Sequence, residues 1–139
     1  MQPAGFRINS ISDFEHLSHS VKWQYFEKLV AWIFDQNSFE TRQNIIVKFH
    51  GQKRQFDVIA EKYGKIYLVE CKKWKSRKEK VSALKSAVKK HKERCELYSI
   101  KEGKEVHPII VTLLEEDIAE HEGVPIVPIM KLDWFINNA

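Results

Sequence analysis

The stretch "DVIAEKYGKIYLVECKKW", residues 57–74, constrains this chain more than any other. Two runs rich in β-branched and aromatic residues flank Tyr63-Gly64, and a two-residue turn at that pair predicts an antiparallel hairpin. Lys62 then faces Lys65, and counting outward puts Asp57 directly across from Glu70. Opposed residues of this kind have Cβ atoms about 4.5–5.5 Å apart. Lys72, two positions beyond Glu70, points to the same side. The same register sets Ile59 against Leu68 on that face and Val58 against Val69 on the other, so the hairpin is apolar on both faces near its middle. A strand of that kind is covered on both sides. A four-residue loop centred on the same bond keeps this register, whereas a loop one residue longer moves it.

Two carboxylates opposed beside an apolar centre repel each other and are costly to desolvate. A structural sheet has no use for them. A divalent cation between them removes the cost, because hard cations such as Mg²⁺ or Mn²⁺ take carboxylate oxygens and retain waters. A cation flanked by an ammonium group suits attack of water on a phosphodiester. The metal orients and acidifies the water and neutralises charge on the phosphate, and a lysine holds the water and screens the transition state.

The charge distribution fits that substrate. Residues 72–104 carry 13 Lys/Arg against 4 Asp/Glu, whereas residues 1–71 carry 9 against 8 and residues 105–139 carry 1 against 7. A basic block in an otherwise balanced or acidic chain reads two ways, as a face for a polyanion or as a solvated lysine-rich helix. The 139 residues suffice for one packed domain, expected to span residues 1–139 with residues 1–19 as an N-terminal extension. No apolar run approaches the roughly 20 residues of a membrane-spanning helix, and the first residues lack the apolar core of a signal peptide. Cys71 and Cys95 form no recognisable framework. An intracellular, cytoplasmic protein without a membrane partner is expected.

A first helix is predicted from near Ser20 to Asp35, where Trp23, Phe26, Val30, Ile33 and Phe34 recur at helical spacing. A strand over Phe39–Phe49 and the hairpin follow. A long helix over residues 75–100 carries Val81, Leu84, Val88, His91, Cys95 and Tyr98 on one stripe, with Lys85, Lys89 and Lys92 on another face. Residues 106–114 read as a buried strand, 115–123 as a short helix, 124–130 as a strand whose two prolines favour an edge, and 131–138 as a closing helix. This order gives an α/β fold, a mixed central sheet with an antiparallel start flanked by helices.

Glu27 shares the apolar stripe of the first helix with Trp23, Val30 and Phe34, and reads either as a site residue or as a rim acid paired with Lys28 or a loop lysine. Lys73, Trp74, Lys75, Arg77 and Lys78 form a basic stretch around an aromatic residue just past the hairpin. Some of these lysines are expected on a phosphate backbone; Trp74 either meets a sugar or base or caps the core. Lys53 and Arg54, in the loop before Asp57, are placed to reach DNA, with Lys85 and Lys89 as a second tier. His16 and His19 lack a third ligand at zinc spacing, and His91 reads as a packed histidine. Neither cysteine has the context for thiol catalysis.

Asp57 followed by Glu70-Cys71-Lys72 at the end of an apolar strand resembles the PD-(D/E)xK nuclease superfamily, with its restriction-endonuclease-like fold. "YFEKLVAWIF", "FDVIA", "YLVECKKW" and "IIVT" look like the Mrr-type restriction endonuclease domain and like the archaeal Holliday-junction resolvases that share its core. The resemblance implies that Asp57 and Glu70 bind the metal with the Cys71 backbone carbonyl, that Lys72 positions the attacking water, and that Glu27 completes the metal site or its water shell. It also implies DNA as substrate and a homodimer that cuts two strands. Phe56 replaces the superfamily's proline, Glu70 stands where many Mrr-type domains have Gln, and "GQKRQF" replaces their glycines.

The reading is a Mg²⁺- or Mn²⁺-dependent DNA endonuclease of restriction type. Its rivals are a resolvase of branched DNA, a DNA-binding module that keeps the fold without turnover, and a domain whose basic helix binds an acidic protein.

Overall fold

In the computed structural model, residues 23–72 and 80–139 are described. Among the described residues the order is helix α1 (Trp23–Gln36), strands β1 (Glu40–Phe49), β2 (Gln52–Lys62) and β3 (Lys65–Lys72), then helix α2 (Lys80–Glu102). Strands β4 (His107–Thr112), β5 (Glu120–His121) and β6 (Val124–Pro128) and helix α3 (Ile129–Asn138) complete it. The strands form one sheet in the order β1-β2-β3-β4-β6-β5. β1, β2 and β3 are an antiparallel meander, β3, β4 and β6 run parallel, and β5 turns back antiparallel on β6. This is the mixed sheet flanked by helices that the sequence leads one to expect. No helix among the described residues is long and apolar enough to cross a membrane.

Both faces of the sheet are covered. Phe26, Leu29, Val30, Ile33 and Phe34 of α1, with Ile129 and Leu132 of α3, pack on Val58, Ala60, Tyr67, Val69, Ile109 and Val111. On the opposite face, Cys95 and Tyr98 of α2 pack on Phe56, Ile59, Ile66 and Leu68, and Leu84 and Val88 pack on Ile110, Val124 and Ile126. The α2 stripe read from the sequence is the face that is buried. Cys71 and Cys95 are free and lie in these two separate layers, so the sheet stands between them.

The β2–β3 turn has the expected two residues, with Tyr63 at φ 50° and Gly64 at φ 81°. Two successive left-handed residues twist the chain in the sense that matches paired strands. The register follows, with Lys62 opposite Lys65, Ile59 opposite Leu68 and Val58 opposite Val69. The β1–β2 turn at His50 (φ 49°) and Gly51 (φ 82°) is built in the same way.

One rung departs from regular alternation. Phe56 and Ile59 both face α2, whereas Val58 and Ala60 face α1, so inward and outward positions slip by one at Asp57. β1 slips with it: Phe39 packs on the α1 side and Ile45, Val47 and Phe49 on the α2 side. Because both strands slip together, the register is the same above and below, Gln43 with Val58 and Ile45 with Phe56. The skipped rung is Asn44 and Asp57, and Asn44 adopts φ 52°. Asn is one of the few L-residues that tolerates this conformation.

Three sequence expectations are corrected. Residues 115–123 form an irregular segment ending in β5, in place of a short helix. Ile118 and Ala119 are adjacent, so the segment has no apolar stripe to bury, and helix formers alone do not hold so short a helix. Glu122 (φ 49°) and Gly123 (φ 80°) instead make a hairpin turn, with the Gly123 N–H donating to Glu120 Oε1 over 3.1 Å. In consequence the proline-bearing strand β6 is not the outermost strand; the two-residue β5 lies outside it. Lys53 and Arg54 lie within β2 and not in a loop.

Asn44→Val is expected to destabilise the protein by about 1–2 kcal/mol, because a β-branched residue resists φ 52°. Asn44→Gly should cost much less. Urea denaturation of both variants checks the difference.

Candidate active site

Asp57 stands where β2 and β3 part. Their ladder ends at Val58 and Val69, and beyond it the Cys71 backbone N–H donates to Asp57 Oδ2 over 2.8 Å. A side-chain carboxylate thus takes the place that a strand carbonyl would fill. The carboxyl groups of Asp57 and Glu70 are joined by a hydrogen bond. Glu70 Oε2 accepts from Arg94 Nη2 at 2.6 Å and lies 3.7 Å from Lys72 Nζ. The site is therefore a carboxylate pair beside two cations, three of its members on the hairpin and one on α2.

The two carboxylates are not equivalent. Burial pushes Asp57 up to about 7, reinforced by the charge and hydrogen bond of Glu70 and the charge of Glu27, against the opposing Cys71 N–H. Glu70 is also penalised by burial, but Lys72 and Arg94, with a hydrogen bond from Asp57, outweigh that penalty and hold it below the usual range. Without a cation, Asp57 keeps the proton and Glu70 carries the charge. Such a pair gains from a divalent ion, which replaces one shared proton by two charges.

Glu27 is 5 % exposed on α1, and its charge raises both Asp57 and Cys71. Among the described residues no three His, Cys, Asp or Glu side chains are gathered as a metal cluster. The Cys71 side chain is buried on the α1 face, away from Glu70, and burial pushes its thiol up. His91 is 1 % exposed beneath the pair. Its Nε2–H donates to the Leu68 carbonyl at 2.8 Å, which fixes the tautomer, and burial lowers it to about 4. It is the packed, neutral histidine expected.

Among the described residues, the other basic positions expected to meet DNA lie on β2 and α2. Lys53 is exposed on β2. Arg54 is engaged with Gln52 Oε1 at 3.0 Å and Glu93 Oε1 at 3.5 Å, which ties the β1–β2 hairpin to α2. Lys85 and Lys89 are exposed on α2, whereas Lys92 reaches the Glu122 carbonyl at 3.2 Å. Lys73, Trp74, Lys75, Arg77 and Lys78 lie outside the described residues. Arg94 is the member that sequence reasoning missed. It sits one position off the buried α2 stripe, three residues after His91, and only the long-range packing of α2 over β3 brings it to Glu70.

A mixed sheet between helices, with an Asp and a Glu-x-Lys at the end of its central hairpin, defines a restriction-endonuclease-like nuclease fold. The restriction endonuclease family model Mrr_cat matches residues 18–101. The chain belongs to that family, and with it to the nucleases. An uncharacterised protein of Archaeoglobus fulgidus is 31 % identical over 118 residues, 85 % of this chain and 92 % of its own. The small subunit, R.BspD6I2, of the heterodimeric restriction endonuclease R.BspD6I superposes with a TM-score of 0.51 at 20 % identity, over 85 % of this chain and 69 % of its own. AF1548, a protein of unknown function, aligns with a TM-score of 0.47 at 29 % identity over 64 % of this chain, which spans only 46 % of that relative.

The raised Asp57 sets a pH dependence. Between pH 4 and 7 the folded protein retains a proton that the unfolded chain has released, so metal-free stability falls as pH rises through that window. Asp57→Asn removes the effect. Its midpoint in a thermal melt is expected to exceed wild type by several degrees at pH 8 and to match it at or below about pH 4. Mg²⁺ should raise the wild-type midpoint at pH 8 and leave that of the variant in place.

Proposed function

We propose that this protein is a Mg²⁺- or Mn²⁺-dependent DNA endonuclease of restriction type, with Asp57, Glu70 and Lys72 as its catalytic residues. The observation that carries the reading is the convergence of a hydrogen-bonded Asp57–Glu70 pair and the Lys72 ammonium at one end of the hairpin. The donor set suits a hard cation, since it offers carboxylate oxygens beside a backbone that can supply the Cys71 carbonyl, with Glu27 behind as a charge acting on Asp57. When bound there, the cation acidifies water and neutralises phosphate charge.

The chain's own residues do the rest. Lys72, with three N–H donors, holds the water oxygen towards phosphorus and screens the charge that develops on the phosphate. The new P–O bond forms as the ester P–O bond opposite it breaks. The water gives one proton to solvent, and the leaving alkoxide takes one, so that a phosphate monoester and a hydroxyl result. Lys53, Lys85 and Lys89 are exposed cations suited to the DNA backbone beside this site, and the stretch from Lys73 to Lys78 adds to them. One such site breaks one strand, so two copies acting together would cut a duplex.

The test is cleavage of plasmid, branched and single-stranded DNA with Mg²⁺, Mn²⁺ or EDTA. Metal-dependent cutting is expected, and Asp57→Asn, Glu70→Gln and Lys72→Ala should each lower it at least about a hundredfold without unfolding the protein. Concerted action of two copies appears as linear plasmid without accumulating nicked circles. Preference for the branched substrate would assign the protein to the resolvases. Tight DNA binding without cutting on any substrate would make it a binding module and overturn the reading.

A further inference from the structure

Arg94 contacts Glu70 through one of its ends only. Nη2 is 2.6 Å from Glu70 Oε2, while Nε is buried and has no hydrogen-bond acceptor among the described residues. A guanidinium that pairs fully with a carboxylate presents two parallel N–H groups, so this arrangement leaves a donor unused inside the site. Buried donors without an acceptor are uncommon and point to a missing partner. The oxygen it holds is also the one nearest Lys72. In the metal-free protein the Glu70 carboxylate faces two cations, Lys72 and Arg94. A divalent ion on the pair leaves the site with an excess of two positive charges, which calls for an anion.

We propose that Arg94 serves as the counter-ion of Glu70 in the metal-free protein and passes to a non-bridging oxygen of the DNA phosphate once a divalent cation takes Glu70. This rests on the nuclease reading above and assigns Arg94 a role in it. Nε, unused while Arg94 is held on Glu70, then completes a two-pronged contact on the phosphate, a geometry that lysine cannot reproduce. Arg94 would thus compete with the metal in the resting site and assist the reaction in the loaded one.

The two halves of this role predict opposite signs, which a merely structural arginine would not produce. Full-length Arg94→Met is expected to bind Mn²⁺ about tenfold more tightly than wild type by titration calorimetry without DNA. At saturating Mn²⁺ its single-turnover cleavage should be about a hundredfold slower. Arg94→Lys should restore wild-type Mn²⁺ affinity and only part of the rate. Unchanged or weaker Mn²⁺ binding by a folded Arg94→Met, or an unchanged cleavage rate, overturns the proposal. If Arg94→Met does not fold, the wild-type protein carries the test. Its Arg94 Nε–H NMR resonance should move downfield on adding Mg²⁺ with a non-cleavable phosphorothioate duplex, and a stationary resonance overturns the proposal. Wild-type protein that neither binds Mn²⁺ nor cuts DNA overturns the nuclease reading itself, and Arg94's role with it.

Discussion

Cys71 donates its backbone N–H to Asp57 Oδ2 over 2.8 Å at the point where the β2–β3 ladder stops, and the arrangement of the site depends on that bond. It uses a backbone donor that would otherwise be left unpaired at a buried strand end. It also fixes the Asp57 carboxylate next to Glu70, one residue before Cys71 in the chain. The slip of alternation shared by Asn44 and Asp57 makes room for it, turning both strands over on one rung while the register on either side is preserved. The distortion is local, and the apolar layers above and below remain filled.

A pair of acids in that position would be a liability on its own. Burial and mutual repulsion drive Asp57 towards its protonated form, and Lys72 with Arg94 keep Glu70 ionised. The site is thus held by one proton and two cations. The scaffold supplies rigid support from both sides: His91, neutral and bonded to the Leu68 carbonyl, anchors α2 against β3, and Arg94 on the next turn of that helix reaches the pair. α1 contributes from the other face through the charge of Glu27.

Much of this was legible in the residues because its causes are local. Tyr63-Gly64 fixes a two-residue turn, the turn fixes the register as far as Val58 and Val69, and residues 57 and 70 follow one step past that last paired rung. The buried stripe of α2 likewise follows from the spacing of Leu84, Val88, His91, Cys95 and Tyr98. Three features were not legible. Arg94 looks like any other cation on a basic helix until α2 packs over β3. Asn44 betrays no kink, since the slip in β1 is matched only by a slip in a neighbouring strand. The segment 115–123 is rich in helix-forming residues, and the absence of an apolar stripe outweighs their propensity.

The central claim is that folding prepares the oxygens of Asp57 and Glu70 to share one divalent ion. Anomalous diffraction from crystals grown at pH 8 with Mn²⁺ tests it most directly. The account requires a single strong peak bonded to both carboxylates, with the Cys71 N–H still on Asp57 and Lys72 adjacent but not bonded to the metal. A peak elsewhere on the protein, or none between these two side chains, would contradict it.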